Sequence, residues 1–369
     1  MTADLAGKAA RAPIRAIDGL RGIAALGIVL YHTRASLGYA PELKWASGQV
    51  WKYYLLLDLF FIVSGYAIAS GYAKTFEKPF TAQTYGRFLW GRFARLYPLY
   101  LFVLLVLGAQ EVYYLIVAHG GGATPWPPFG RASATLDTYI ASLFMVQSWG
   151  FCNKLVWNIP AWYVSALICA YFVFPFIARA AAGLGPTMRG IVLIGIAGAA
   201  TIALHLAFAE GAFPLPNDLS PLRAILEFSV GYGIALLPPG PGWRKYLQLP
   251  LLLLAGLGLH RFWPDAITLP LLTLFFWSLL DDRGVIARPL ASRPAVWLGS
   301  VSYAIFLVHQ PILSWIDGLN DTELRNTFFL LWSQYFTYNV ILRFVVIVLV
   351  AWLAHRFIAE PARRWLNPR

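Results

Sequence analysis

Charge is scarce in this chain. Of its 369 residues only 12% are charged, acidic side chains number 17, and cysteine occurs twice. A soluble domain of this length carries far more charge on its surface, so the ordinary soluble classes are excluded. Cys152 falls in a predicted loop and Cys169 in a predicted span, and no disulfide is expected between them. Alternating apolar–polar stretches are missing too. Open strands cannot satisfy their backbone in lipid, so sheet is not expected. Met1 to Arg15 is polar and no A-x-A site follows the first apolar run, so no cleavable signal peptide is expected. No repeat, low-complexity tract or appended soluble domain is visible.

What is present is hydrophobic length. The chain is 59% hydrophobic with a positive mean hydropathy. Apolar runs of about 18–22 residues, each long enough for a hydrocarbon core, recur along almost all of it. The fold class expected is all-α, a polytopic membrane helix bundle in the lipid bilayer with about ten transmembrane helices. They are placed near 15–36, 53–73, 95–118, 160–179, 190–208, 222–237, 246–260, 263–280, 295–316 and 336–356. Residues 1–369 then form one transmembrane domain, with tails at 1–13 and 357–369 and one long loop at 119–159. Gly, Pro and Trp in that loop, "HGGGATPWPPFG", suit a folded cap over a cavity.

The formal charge of +12 does not point to nucleic acid, because the basic residues are dispersed into short segments between spans. If both termini are inside, inner segments collect about 19 Lys and Arg and outer ones about seven. That asymmetry predicts cytoplasmic termini and an extracytoplasmic 119–159 loop.

Ionisable groups at membrane depth are costly and often mark function. The first span, "IRAIDGLRGIAALGIVLYH", carries Asp18, Arg21 and His32. Arg21 and His32, eleven residues apart, share a helix face, about 20° of net rotation and roughly 16 Å of rise separating them. Asp18 lies within about 60° of the same stripe. Each alone reads equally as a neutralised ion pair or a hydrogen-bonded core histidine; together on one face they favour function. Other spans bring polar groups to a similar outer height: Asp58, Glu111, Glu227 and His309, with Asn158, Trp162, Tyr163 and Ser165 from "WNIPAWYVSAL". At the inner end, "RFLWGRFARLYP" sets Arg92 and Arg95 one turn apart before Pro98. Such a pair is a topological anchor or an anion clamp able to fork onto phosphate.

These stretches resemble the acyltransferase-3 family of bacterial integral-membrane O-acyltransferases. "DGLRGIAALGIVLYH" resembles its opening signature, with the Arg/Lys-x10-His spacing at Arg21 and His32. "DLFFIVSGYAIA" resembles its F-F-x-x-S-G segment at Phe60, Phe61, Ser64 and Gly65. "GRFARLYPLY", "VSYAIFLVHQPI" and "HRFIAEPARRW" resemble three further segments, in the same order along essentially the whole chain. The fourth span departs from the pattern. Many members read W-S-x-S-x-E, whereas this chain keeps Trp162, Ser165, Tyr171 and Pro175 but has Leu167 at the glutamate position. Glu111 or Glu227 could fill that place.

The resemblance implies transfer of an acyl group, most often acetyl, from cytoplasmic acyl-CoA to a hydroxyl of an extracytoplasmic glycan or lipid-linked sugar. It implies a bacterial inner-membrane location and a role in polysaccharide O-acetylation. No metal is expected. A hydroxyl attacking a thioester needs a base that titrates near neutrality, a role for His32, which either deprotonates the acceptor or first takes the acyl group. Tyr163, Ser165 and His309 are candidates to stabilise the oxyanion, with Arg21 and Asp18 completing the catalytic set. Arg21, Arg92 and Arg95 match the phosphates of the donor, and Asp58, Trp162, Glu111 and Glu227 are candidate acceptor contacts. The alternative is a transporter or flippase for a sugar or lipid-linked glycan, which also needs a polar path but predicts an inverted repeat.

Overall fold

The computed structural model describes residues 14–34, 50–122, 135–152, 157–208, 219–320 and 336–367. Every segment predicted as a span is helical. The helices are α1 (Arg15–His32), α2 (Leu55–Phe76), α3 (Ala82–His119), α4 (Leu136–Leu143), α5 (Trp162–Ala180), α6 (Pro186–Ala207) and α7 (Ser220–Leu236). They continue as α8 (Gln248–Leu257), α9 (Asp265–Ser278), α10 (Ala287–Leu290), α11 (Arg293–Asn320), α12 (Phe336–Ala354) and α13 (Glu360–Leu366). No strand occurs among the described residues. Six of these helical stretches are long and apolar enough to cross a membrane: Leu55–Phe76, Ala82–His119, Ile159–Gly183, Pro186–Ala207, Arg293–Asp317 and Val340–Leu366. The chain is a multi-pass helical membrane protein.

The largest departure from expectation is α3, which begins at Ala82 rather than near residue 95 and runs for 38 residues. Thr81 starts it, its hydroxyl accepting from the backbone N–H of Thr84 at 3.2 Å. The basic segment with Arg92 and Arg95 is therefore helix, not a connecting loop. Pro98 sits inside it, which a membrane helix tolerates when neighbours satisfy the freed backbone. Within the predicted cap, α4 is started by a reciprocal Thr135–Thr138 capping box. Cys152 and Cys169 are both free thiols.

Lipid tails are as apolar as leucine, so helices in a bilayer associate through close backbone approach rather than hydrophobic expulsion. Two crossings show this. A Cβ on Gly65 of α2 would overlap the carbonyl of Phe228, and one on Gly231 of α7 would overlap that of Ile62. Gly22 of α1 lies against Leu298 and Gly299 of α11, and a Cβ on Gly299 would overlap the carbonyl of Asp18. Further along this second pair, His32 meets His309. α1 and α11 therefore run parallel and in contact over their functional faces. The carboxylate of Asp282 caps the start of α1, accepting from the backbone N–H groups of Arg15 at 3.0 Å and Ala16 at 2.7 Å.

Candidate active site

A cleft of about 140 Å³ opens between these helix pairs. α1 lines it with Ile17, Asp18 and Arg21, α2 with Phe60, Ser64 and Ile68, and α3 with Arg95 and Leu96. α5 adds Tyr163, Leu167 and Tyr171, and α11 adds Ser302, Tyr303 and Phe306. One end is thus basic. Arg21 keeps Asp18 at 3.6 Å, a partly exposed i,i+3 contact that trims the charge of α1 without quenching that of Arg95.

The cleft narrows among aromatic rings. Tyr163 stacks on Phe61 at 4.4 Å between ring centres and meets Phe306 edge-on at 5.4 Å. Its hydroxyl is 3.5 Å from that of Ser64, at the outer limit of a hydrogen bond. Phe306 leads to His309, at 6.0 Å, and His309 to His32, at 5.1 Å between ring centres with the planes inclined by 49°. His309 is fully buried. Its Nδ1 lies 3.2 Å from the carbonyl oxygen of Ile305, one turn back, which takes the Nδ1–H tautomer as donor. The opposite nitrogen, Nε2, is buried and has no hydrogen-bond partner. It is left as an acceptor, so neutral His309 has no free N–H to offer an oxyanion.

The other candidates fall in different places. Arg92 lies off the cleft lining, donating to the Tyr72 hydroxyl at 3.2 Å with its guanidinium beside the Tyr72 ring. Ser165 is fully buried and turned to Ser148, whose backbone N–H and hydroxyl both reach its oxygen at 3.2 and 2.9 Å. Glu111 is buried on α3, sixteen residues beyond Arg95, or about 24 Å of helix. Leu167 does line the cleft, so the wall is apolar at the position where the family pattern predicts a glutamate, and neither Glu111 nor Glu227 is among the lining residues. Asn158 donates to the carbonyl of Leu307 at 2.8 Å, fastening the turn before α5 to α11 two residues from His309.

Asp58, Glu227 and Trp162 gather in a second, closed cluster. Arg223 forks onto both carboxylate oxygens of Asp58, lies 3.5 Å from Glu227 and rests over the Trp162 ring. His205 of α6 joins them, and Asp265 with Lys52 and Tyr54 completes the group. Arg223, His205, Asp265 and Ser64's pairing with Tyr163 were not singled out from sequence. Arg223 was legible in principle, standing one turn before Glu227 in an apolar span.

Comparison with known proteins agrees with this architecture. The family model described as "Acyltransferase domain" matches residues 14–356. The chain belongs to this acyltransferase-3 family of membrane acyltransferases. It is 26% identical to "Acyltransferase MdmB" of Streptomyces mycarofaciens over 387 residues, covering 96% of this chain and 92% of that protein. It is 41% identical over 163 residues to "Protein 2 in picA locus" of Rhizobium radiobacter, covering 38% of this chain and 77% of that one. To "Peptidoglycan O-acetyltransferase OatA" of Listeria monocytogenes it is 23% identical, spanning 95% of this chain but 56% of the relative. No solved structure matches the chain.

Proposed function

We propose that the protein moves an acyl group, acetyl in the first instance, from acyl-CoA to a hydroxyl of a glycan or lipid-linked sugar on the far side of a bacterial inner membrane. The observation that carries this reading is the cleft itself. Its lining includes Arg21 and Arg95 with Tyr163 and Phe306; His309 and His32 lie outside the lining, packed in turn behind Phe306. The OatA likeness supports an O-acetyl product, since that relative is named for acetylating peptidoglycan.

In this proposal Arg21 and Arg95 face the cytoplasm and hold the donor's phosphates, where paired guanidiniums give charge-assisted, forked contacts. The pantetheine arm threads the aromatic neck, and the thioester meets the acceptor near the two histidines. His32 takes the proton as the acceptor oxygen attacks the thioester carbon. Collapse of the tetrahedral adduct breaks the carbon–sulfur bond, and the proton passes from His32 to the departing thiolate. Tyr163, backed by Ser64, is the oxyanion donor. His309, whose Nε2 has no hydrogen-bond partner here, packs against His32 and would orient it if a small rotation brought the His32 ring N–H onto that nitrogen. Asp18 restrains Arg21. Trp162, Asp58, Glu227 and Glu111 then shape the surroundings of the acceptor side.

The test is direct. Purified protein in detergent or nanodiscs is given labelled acetyl-CoA with candidate glycans and undecaprenyl-linked sugars. Label appearing in an ester on the sugar, with release of free CoA, supports the proposal. Acceptor passage across sealed vesicles with no CoA release from any donor would instead establish a transporter.

A further inference from the structure

Three helices place a nitrogen and two carboxylates around one buried gap. Asp58 and Glu227 are 0% exposed and His205 is 1% exposed. His205 Nε2 lies 3.7 Å from Glu227 Oε1 and 3.9 Å from Asp58 Oδ1. Its Nδ1 faces Asp265 Oδ2 at 4.0 Å. All three separations exceed the roughly 2.7–3.2 Å of an N–H···O hydrogen bond. Both ring nitrogens of His205 and both oxygens of Glu227 are buried without a hydrogen-bond partner. Leaving several such groups unmade in one place is costly at membrane depth, where no bulk water relieves them.

We infer that Asp58, His205 and Glu227 form a binding site for one divalent transition-metal ion of the zinc class. Two ligand bonds of about 2.0–2.2 Å at a tetrahedral angle set ligand atoms roughly 3.4 Å apart, so the pairs at 3.7 and 3.9 Å are only slightly wide. The three ligand atoms all lie within 4.8 Å of one another, so a small inward movement closes the set. One imidazole with two carboxylates favours zinc, manganese or iron over calcium and magnesium, which take oxygen ligands.

The surroundings are those of a metal site. Metal-bound histidines typically give their other nitrogen's proton to a carboxylate. Asp265 stands on that side of His205, itself held by Lys52 Nζ at 2.8 Å and the Tyr54 hydroxyl at 2.5 Å. Arg223 bonds both oxygens of Asp58, leaving each a second lone pair, and its Nε also lies 3.5 Å from Glu227 Oε1. Charge does not choose between occupants. Three carboxylates, Asp58, Glu227 and Asp265, meet two cations, Arg223 and Lys52, so neutral His205 leaves one negative charge unmatched. A proton shared by Glu227 with a neighbour balances that charge and is the competing solution, while a divalent ion exceeds it by one unit. The unpartnered nitrogens and oxygens, not the charge, point to a metal.

Full-length protein purified in detergent without chelator should carry one equivalent of a divalent first-row metal by elemental analysis. Stripping with dipicolinate should lower the melting temperature, and added Zn²⁺ should restore it by ordinary linkage. Co²⁺ in place of the native ion should give visible absorption bands of a nitrogen–oxygen ligand set. His205→Gln should weaken metal binding by about tenfold or more. Should that variant fail to fold, the cobalt spectrum and zinc-dependent melting of the wild-type chain still decide. Metal-free protein with neither response would overturn the inference and leave a shared proton. Undiminished metal in folded His205→Gln would also overturn it, because the ion would then lie elsewhere.

Discussion

The ring of His309 stands 5.1 Å from that of His32, and its Nδ1 is committed to the Ile305 carbonyl. His309 therefore presents a bare acceptor nitrogen toward the end of α1. The sequence reading made it a candidate oxyanion donor; its geometry recommends it as the partner that orients the base.

His32→Ala and His32→Gln should fold and insert, bind donor, and lose transfer by about 10²–10⁴-fold, the usual cost of removing a general base. Glutamine keeps hydrogen bonding but cannot take the proton. Radiolabel transfer at matched expression checks this, and near-normal turnover by the glutamine variant would make His32 structural.

His309→Gln should be milder than His32→Gln if His309 only orients its neighbour. Its readout is the pH–rate profile, whose acidic limb, set by protonation of the base, should move while donor affinity stays constant. Equal, complete loss in both variants would place His309 at the reacting atoms instead.

The two arginines of α3 should separate. Arg95 lines the cleft whereas Arg92 bonds Tyr72. Arg95→Ala should weaken acyl-CoA binding by about 1.5–3 kcal/mol, the worth of a charged hydrogen bond, and Arg92→Ala by clearly less. Lysine at position 95 should rescue in part, since it lacks the fork. Isothermal titration with a non-hydrolysable donor analogue distinguishes them; equal losses would place both in the phosphate site.

Cysteines placed singly at Lys78 and Gly121, in a chain with Cys152 and Cys169 replaced, should label oppositely from outside the cell. Gly121 should react with an impermeant maleimide and Lys78 should not, as the Lys and Arg distribution demands. Labelling at Lys78 alone would invert the proposed orientation and move the donor site to the wrong side.

Asp58→Ala should destabilise the protein by about 3–5 kcal/mol, because it strands the buried Arg223 without its partner. Thermal unfolding of the detergent-solubilised protein reads this, and an unchanged melting temperature would mean that Arg223 finds another acceptor.

The helices were legible because hydrophobic length is a local property; each predicted span holds helix among its described residues, and six helical stretches are long and apolar enough to cross a membrane. The start of α3 was missed because amphipathic, arginine-bearing turns before Arg95 dilute the apolar signal that marks a span. Arg21, His32, Tyr163 and His309 stood out in the sequence as polar groups in apolar runs, and Arg21 and Tyr163 do line the cleft while His32 and His309 pack together beyond it. Ser165 and Arg92 could not be separated from their neighbours by spacing alone, since their partners Ser148 and Tyr72 come from other parts of the chain. His205 was hidden for a like reason. It is a single histidine in an apolar helix, and only the tertiary meeting of α2, α6 and α7 gives it companions.

The glycine crossings also bear on which substrates such a scaffold can adopt. Gly22 with Gly299, and Gly65 with Gly231, set their helix pairs backbone to backbone, and α1, α11 and α2 of these pairs form walls of the cleft. Neither pair can spread to admit a bulkier guest without losing this close backbone contact. With the thioester beside the histidines as proposed, longer acyl chains would need smaller side chains there, at Phe60 or Phe306, rather than swelling of the frame. Chain-length preference in this architecture is accordingly a matter of a few replaceable rings, inherited separately from the machinery that makes the ester.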